Sequence, residues 1–197
     1  MIGECQQNAA TCMHRHPAIF EIARELLGAG KKKVLSFGCS SGEEVRTLKE
    51  IGGSAWTVDG LDLKPRLIEI ARKADPKGVY ATTFVELKPL SYDAVFCMSV
   101  LCRFPDDSDT FTFKDFQDAA TGVDNFVKPG GLLIIYNAQY DFRQTVQFKR
   151  YYKVETSNMH GGSGFVPKFD TSGKLIPTQE ARDVPTYFRK GLMIKEI

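Results

Sequence analysis

The residues best placed to do chemistry lie in "SFGCSSGEEV", residues 36 to 45, directly after the apolar lead "KVL". Gly38, Cys39, Ser40 and Gly42 are small, so a ligand or a neighbouring helix can approach the backbone closely. Glu43 and Glu44 follow at once, and Asp62 falls twenty residues after Gly42, at the end of the next apolar run. An aspartate there can accept hydrogen bonds from both hydroxyls of a ribose, which points to a nucleoside-containing ligand. Asp59 offers the same chemistry in "TVDGLDL" but falls in mid-strand, whereas Asp62 meets the start of a helix.

The charge pattern narrows the ligand. A dinucleotide fingerprint places three glycines as G-x-G-x-x-G and turns a helix N-terminus toward a pyrophosphate. Here the order is G-C-S-S-G-E-E, and two glutamates at that helix start would repel a pyrophosphate. They suit a ligand that carries an ammonium and a sulfonium. S-adenosyl-L-methionine is the cofactor this pattern favours.

These residues need a scaffold, and the rest of the chain supplies the pattern of one. "HPAIFEIARELLGAG" spaces Ile19, Ile22, Ala23, Leu26 and Leu27 as one face of a helix, with Pro17 suited to its first turn. "KVLSF" reads as a buried strand, "GEEVRTLKEIGG" as a helix, "AWTVDGLDL" as a strand and "KPRLIEIARKAD" as a helix. A weaker strand covers "VYATTFV", and "YDAVFCMSVL" is strongly apolar. Phe113, Phe116, Ala120, Val123 and Val127 predict a helix, "KPGG" a turn, and "LLIIYNA" another buried strand. A short helix is expected over "FRQTVQFKRYY", then extended segments, a turn at "DTSGK" and a last strand near "TYFRK". Strands that alternate with helices and read as continuous apolar runs imply an α/β fold. The expectation is a Rossmann-like, mostly parallel twisted sheet with helices on both faces and an antiparallel last strand. Ligands of such sheets bind beyond the carboxyl ends of the strands, where the strand order switches.

Composition limits the alternatives. At 197 residues, 43% hydrophobic and 25% charged, the chain suits one domain, 1–197, with an N-terminal segment and helix over 1–30 and divergent C-terminal strands and loop over 153–197. A net charge of +2 gives no general case for a nucleic-acid partner. Five cysteines without paired spacing argue for a reducing compartment, and three scattered histidines give no metal spacing. Cys39 and Cys97 read as small packing residues rather than nucleophiles. No signal-like or membrane-spanning apolar stretch is present in the sequence, so a cytoplasmic location without a membrane partner is expected.

At this point the motifs resemble a family. The chain is similar to class I S-adenosylmethionine-dependent methyltransferases, and within them to the chemotaxis receptor glutamate methyltransferases. "GCSSGEE" is close to that family's first motif, "YDAVFCMSVLCRF" resembles its fourth-strand motif, and "VKPGGLLII" matches the passage into the fifth strand. "TCMHRHPAIF" resembles its T-x-F-F-R segment. The resemblance implies that Thr11 and Arg15 close over the methionine end of the cofactor, with the arginine on its carboxylate. By the same resemblance Glu44 faces the ammonium, Asp62 the ribose, and Ser99 with Val100 the adenine. Gly38, Cys39, Ser40, Gly42 and Leu63 complete the cofactor-binding set. The family's Arg-Asn pair is Met98-Ser99 here and its tyrosine is Arg103, positions that bear on the acceptor.

The function expected from these residues is methyl transfer to a carboxylate or other anionic acceptor, either a small molecule or a protein side chain. An ionised carboxylate needs no general base, so no catalytic residue is assigned. Arg103, and more weakly Tyr140, are candidates to face that substrate, and the glycine-rich segment "HGGSGFVPKF" is a candidate lid. Transfer to nitrogen or carbon, or cofactor binding without catalysis, are the alternative readings.

Overall fold

The computed structural model describes residues 6, 8–103, 109–156, 168–177 and 185–191. The "HGGSGF" part of the candidate lid lies outside them. Helix α1 (Pro17–Leu27) starts at its proline and buries Ile19, Phe20, Ile22 and Ala23 on one stripe. It stops at Gly28, whose φ of 66° only glycine adopts readily and whose N–H donates back to Arg24 and Glu25 carbonyls at 3.1 Å. Strand β1 (Lys32–Phe37) follows, then α2 (Glu43–Gly52), β2 (Trp56–Leu61), α3 (Pro65–Ala74) and β3 (Val79–Ala81). Strand β4 (Tyr92–Met98), helix α4 (Phe113–Asp124), β5 (Val127–Tyr136), β6 (Tyr151–Val154) and β7 (Thr186–Lys190) complete the fold.

The seven strands form one sheet in the order β3-β2-β1-β4-β5-β7-β6. The pairings from β3 through β5 are parallel, and β7 runs antiparallel between β5 and β6. The expected α/β class, with an antiparallel last strand, is what the chain adopts. Alternate residues of the central strands feed two cores. Ala94 and Phe96 face α1, α2 and α3 with Val34 and Val58, while Val95 and Cys97 face α4 with Leu35 and Leu133. That double burial is why these strands read as apolar runs. The order reverses between β1 and β4, so the cleft beyond their carboxyl ends is where a ligand belongs.

Three expectations are corrected. "VYATTFV" is strand only over Val79–Ala81, because the Glu86 carboxylate accepts both N–H groups and both hydroxyls of Thr82 and Thr83 and starts a 3-10 turn. Val127 opens β5 rather than closing α4, and "KPGG" is a bulge inside that strand. A Cβ at Gly131 would lie 3.0 Å from the Tyr92 carbonyl, so the backbones meet there without room for a side chain. "FRQTVQFKRYY" is two 3-10 turns, Phe142–Gln144 and Val146–Arg150, that release Tyr151 into β6. The Thr145 hydroxyl donates to the Phe142 carbonyl at 2.7 Å and breaks the helical ladder.

Candidate functional site

The site begins where β1 ends. Gly38 has a φ of 79°, and a Cβ on it would strike Val100 Cγ2 at 2.4 Å, so the loops after β1 and β4 touch because residue 38 has no side chain. The Gly38 and Cys39 amides donate to the Leu61 carbonyl at 2.7 and 3.0 Å, which seats the loop against the end of β2. Asp62 then fixes the loop from the other side. Its two carboxylate oxygens accept the N–H groups of Ser40 and Lys64, each at 2.9 Å. Each oxygen keeps a further lone pair for a hydroxyl.

Glu44 sits in the first turn of α2, half-buried and facing the cavity. Burial pushes its carboxyl up to about 7, against the opposing effects of the Ser36 hydroxyl, which donates to it at 2.8 Å, and of the Arg15 charge. Cys39 lies beside these acids. Its burial, then the Asp62 and Glu44 carboxylates, hold the thiol well above its ordinary range, so it is no thiolate nucleophile at neutral pH.

The N-terminal segment covers this floor. The Ser40 hydroxyl donates to the Ala9 carbonyl at 2.8 Å, the His14 amide to Thr47 Oγ1 at 3.0 Å, and Arg15 Nη1 to the Ala10 carbonyl at 2.9 Å. Thr11, Arg15 and His16 thereby line the same cavity as Glu44 and Asp62. Its apolar walls come from Phe20, Phe37, Leu61, Leu67, Phe84 and Met98.

Ten of the residues expected to bind cofactor meet at this cavity: Thr11, Arg15, Gly38, Cys39, Ser40, Glu44, Asp62, Leu63, Ser99 and Val100. Gly42 lies behind it. There it takes a left-handed turn at the α2 N-terminus, where a Cβ would come within 2.9 Å of Ala71 Cβ. Arg103 is not among the described lining residues. Its amide donates to Gln139 Oε1 at 3.3 Å and its charge acts on Asp115. Tyr140 belongs to the core rather than to a substrate wall. It is 1% exposed, donates to the Phe111 carbonyl at 2.9 Å, and packs among Phe113, Phe116 and Phe169. Asp59, 3% exposed, accepts the Tyr92 hydroxyl at 2.8 Å inside the core. His16, Phe20 and Phe84 were not expected at the site; the signal for His16 was its position next to Arg15. Among the described residues no cluster of three or more His, Cys, Asp or Glu could hold a metal, and no helix is long and apolar enough to cross a membrane.

The sequence matches the methyltransferase domain family over residues 35–135, from β1 through β5. The chain belongs to that family. This methyltransferase is 28% identical over 115 residues to demethylmenaquinone methyltransferase of Chlorobaculum tepidum, covering 57% of this chain and 43% of that one. It is 29% identical over 108 residues to ubiquinone biosynthesis O-methyltransferase of Thiobacillus denitrificans, covering 51% and 41%. The chain therefore spans less than half the length of these curated relatives. A TehB-like S-adenosylmethionine-dependent methyltransferase of Corynebacterium glutamicum shares the fold, with a TM-score of 0.52 at 15% identity and 87% of each chain covered.

S-adenosylmethionine is the methyl donor of this methyltransferase, and the donor set around the cavity fits it. Asp62 offers acceptors for ribose hydroxyls, Glu44 an acid for an ammonium, and Arg15 a guanidinium for a carboxylate, while Phe37, Leu61, Leu67 and Phe84, on the same side as Asp62, suit an adenine.

Proposed function

We propose that this methyltransferase moves the methyl group of S-adenosylmethionine to a hydroxyl oxygen on a small, largely apolar ring compound. The observation that carries this reading is the makeup of the cavity outside the donor-binding groups. Phe20 of α1 and Met98 at the end of β4, away from the Asp62 side, give that part of the cavity an apolar surface, and the Arg103 guanidinium expected to hold an anionic acceptor is not among the lining residues. The names of the two relatives, a demethylmenaquinone methyltransferase and a ubiquinone biosynthesis O-methyltransferase, support a quinone-type ring acceptor, and the second supports transfer to oxygen. The likeness to chemotaxis receptor methyltransferases supports the roles given to Thr11 and Arg15, not the acceptor.

The bound donor supplies an electrophilic methyl on a sulfonium. The chain's own task is to hold the amino-acid end with Arg15 and Glu44, hold the ribose with Asp62, and keep water away with the apolar wall. Positioning and exclusion of water then lower the barrier to an in-line displacement. Transfer of tritium from methyl-labelled S-adenosylmethionine to catechol, hydroquinone and benzoate tests the reading. Label in the two phenols and not in benzoate is expected. Label in benzoate alone would restore the carboxylate acceptor and overturn the ring-hydroxyl reading.

A further inference from the structure

We propose that His16 is the general base that takes the acceptor's hydroxyl proton, an assignment that rests on the ring-hydroxyl acceptor proposed above. The placement follows from the sheet order. Asp62, at the end of β2, marks the nucleoside side of the cavity, and β5 lies on the other side of the β1–β4 pair. His16 is on that far side. Its ring meets the ring of Tyr136, the last residue of β5, edge-on, with centroids 4.9 Å apart and planes at 64°. Between the two ends lie Met98 and Ser99, which leave β4 where the acceptor must reach the methyl group.

The backbone that carries the imidazole is also fixed in place. The His16 carbonyl accepts the Ile19 and Phe20 amides at 3.1 and 3.4 Å, and Pro17 holds the next backbone torsion at the start of α1. His16 lines the cavity beside Arg15 and Phe20. The other titratable lining groups serve elsewhere or have the wrong character. Glu44, Asp62 and Arg15 meet the donor, Cys39 holds its proton, Lys64 lies on the Asp62 side, where its amide donates to that carboxylate, and Cys12 is exposed. A neutral imidazole is a competent base near neutral pH, which a phenolic hydroxyl needs and a carboxylate does not.

The step balances simply. A lone pair of the acceptor oxygen forms the new C–O bond while the O–H proton passes to the imidazole. The electron pair of the breaking S–CH3 bond stays on sulfur as a neutral thioether. The imidazolium then gives its proton to water.

The test compares wild type with His16→Gln and His16→Ala at saturating S-adenosylmethionine, with catechol as acceptor. Both variants should bind S-adenosylhomocysteine as wild type does by calorimetry, which shows an intact site. Their kcat should fall by about 100-fold or more, the usual contribution of a general base, with the KM for catechol nearly unchanged. Free imidazole should restore part of the rate in His16→Ala. Saturating donor keeps the Glu44 titration out of kcat. Catechol methylation within about threefold of wild type in His16→Gln would overturn the role of His16 and leave the acceptor reading standing. Label in benzoate but not in catechol by the wild type would overturn both. A second readout needs no turnover: catechol added to the S-adenosylhomocysteine complex should shift the His16 imidazole NMR signal, assigned by its loss in His16→Gln. A signal that does not respond overturns the proposal.

Discussion

Two acids of the site respond in opposite ways to what surrounds them. Asp62 is held by two backbone amides that fix its orientation, so removing it costs the loop's seat and, with it, the ribose contacts proposed for this carboxylate. Asp62→Ala should weaken S-adenosylhomocysteine binding by about 1.5–3 kcal/mol, the range for hydrogen bonds to a charged group, read by calorimetry. An affinity equal to wild type would remove the ribose assignment. Glu44 instead carries a penalty in the ligand-free protein. The unfolded residue ionises near 4.5, while burial keeps the folded carboxyl protonated up to about 7. Between those values the folded state binds more protons, so stability must fall as pH rises, by at most about 1.4 kcal/mol per pH unit. Binding has the reverse dependence. A ligand ammonium requires the carboxylate, so affinity should rise up to tenfold per unit as pH increases toward 7 and then level off. Glu44→Gln should flatten both curves and bind the ligand weakly at every pH. Calorimetry and thermal melts from pH 5 to 8 decide it.

The element that closes the cavity is the one with the least regular structure. Residues 8–16 form no helix or strand before α1; the Ser40 hydroxyl, donating to Ala9, and Thr47 Oγ1, accepting the His14 amide, hold them over the site, and Arg15 braces the segment internally through the Ala10 carbonyl. A segment held that way opens at low cost. Trypsin should cut after Arg15 in the free protein, and saturating S-adenosylhomocysteine should slow that cut about tenfold or more, because Arg15 would then hold the ligand carboxylate. Equal cleavage with and without ligand would reduce the segment to a passive tail. The sequence announced this element only through Thr11 and Arg15, since a polar lead before a helix has no periodicity to read. Elsewhere legibility followed how local the determinant was. Pro17 and Gly28 bound α1, and the apolar runs of β1, β2 and β4 declare strands buried on both faces. "KPGG" misled because its glycines signal a turn from sequence alone, whereas Gly131 answers to the Tyr92 carbonyl on another strand. Tyr140 misled for a related reason. It follows β5 by only a few residues, but the chain turns it under α4 to meet the Phe111 carbonyl.

At the scale of the whole molecule, the parallel part of the sheet carries the chemistry, and the antiparallel pair β7 and β6 extends the edge beyond β5. One buried network fastens that extension. Asp124, 2% exposed at the end of α4, accepts the Tyr151 hydroxyl of β6 at 2.8 Å and pairs with Arg150 and with Lys190 of β7. Lys190 also donates to the Asp124 and Val127 carbonyls at 2.8 and 2.9 Å, and burial lowers its tendency to hold the proton. A buried ammonium that loses its counter-charge is expensive, so Asp124→Ala should destabilise the fold by about 3–5 kcal/mol. Removing the stranded charge as well should recover part of the loss. Asp124→Ala with Lys190→Met should be more stable than Asp124→Ala alone by at least about 1 kcal/mol in urea unfolding. Lys190 pairs with Tyr151 and reaches Val127 at the start of β5, the end of the sheet opposite the cavity. The double variant should therefore bind S-adenosylhomocysteine like wild type wherever it is folded. If it were no more stable than Asp124→Ala, or if it lost ligand affinity while folded, the edge and the site would share a single energetic unit rather than two.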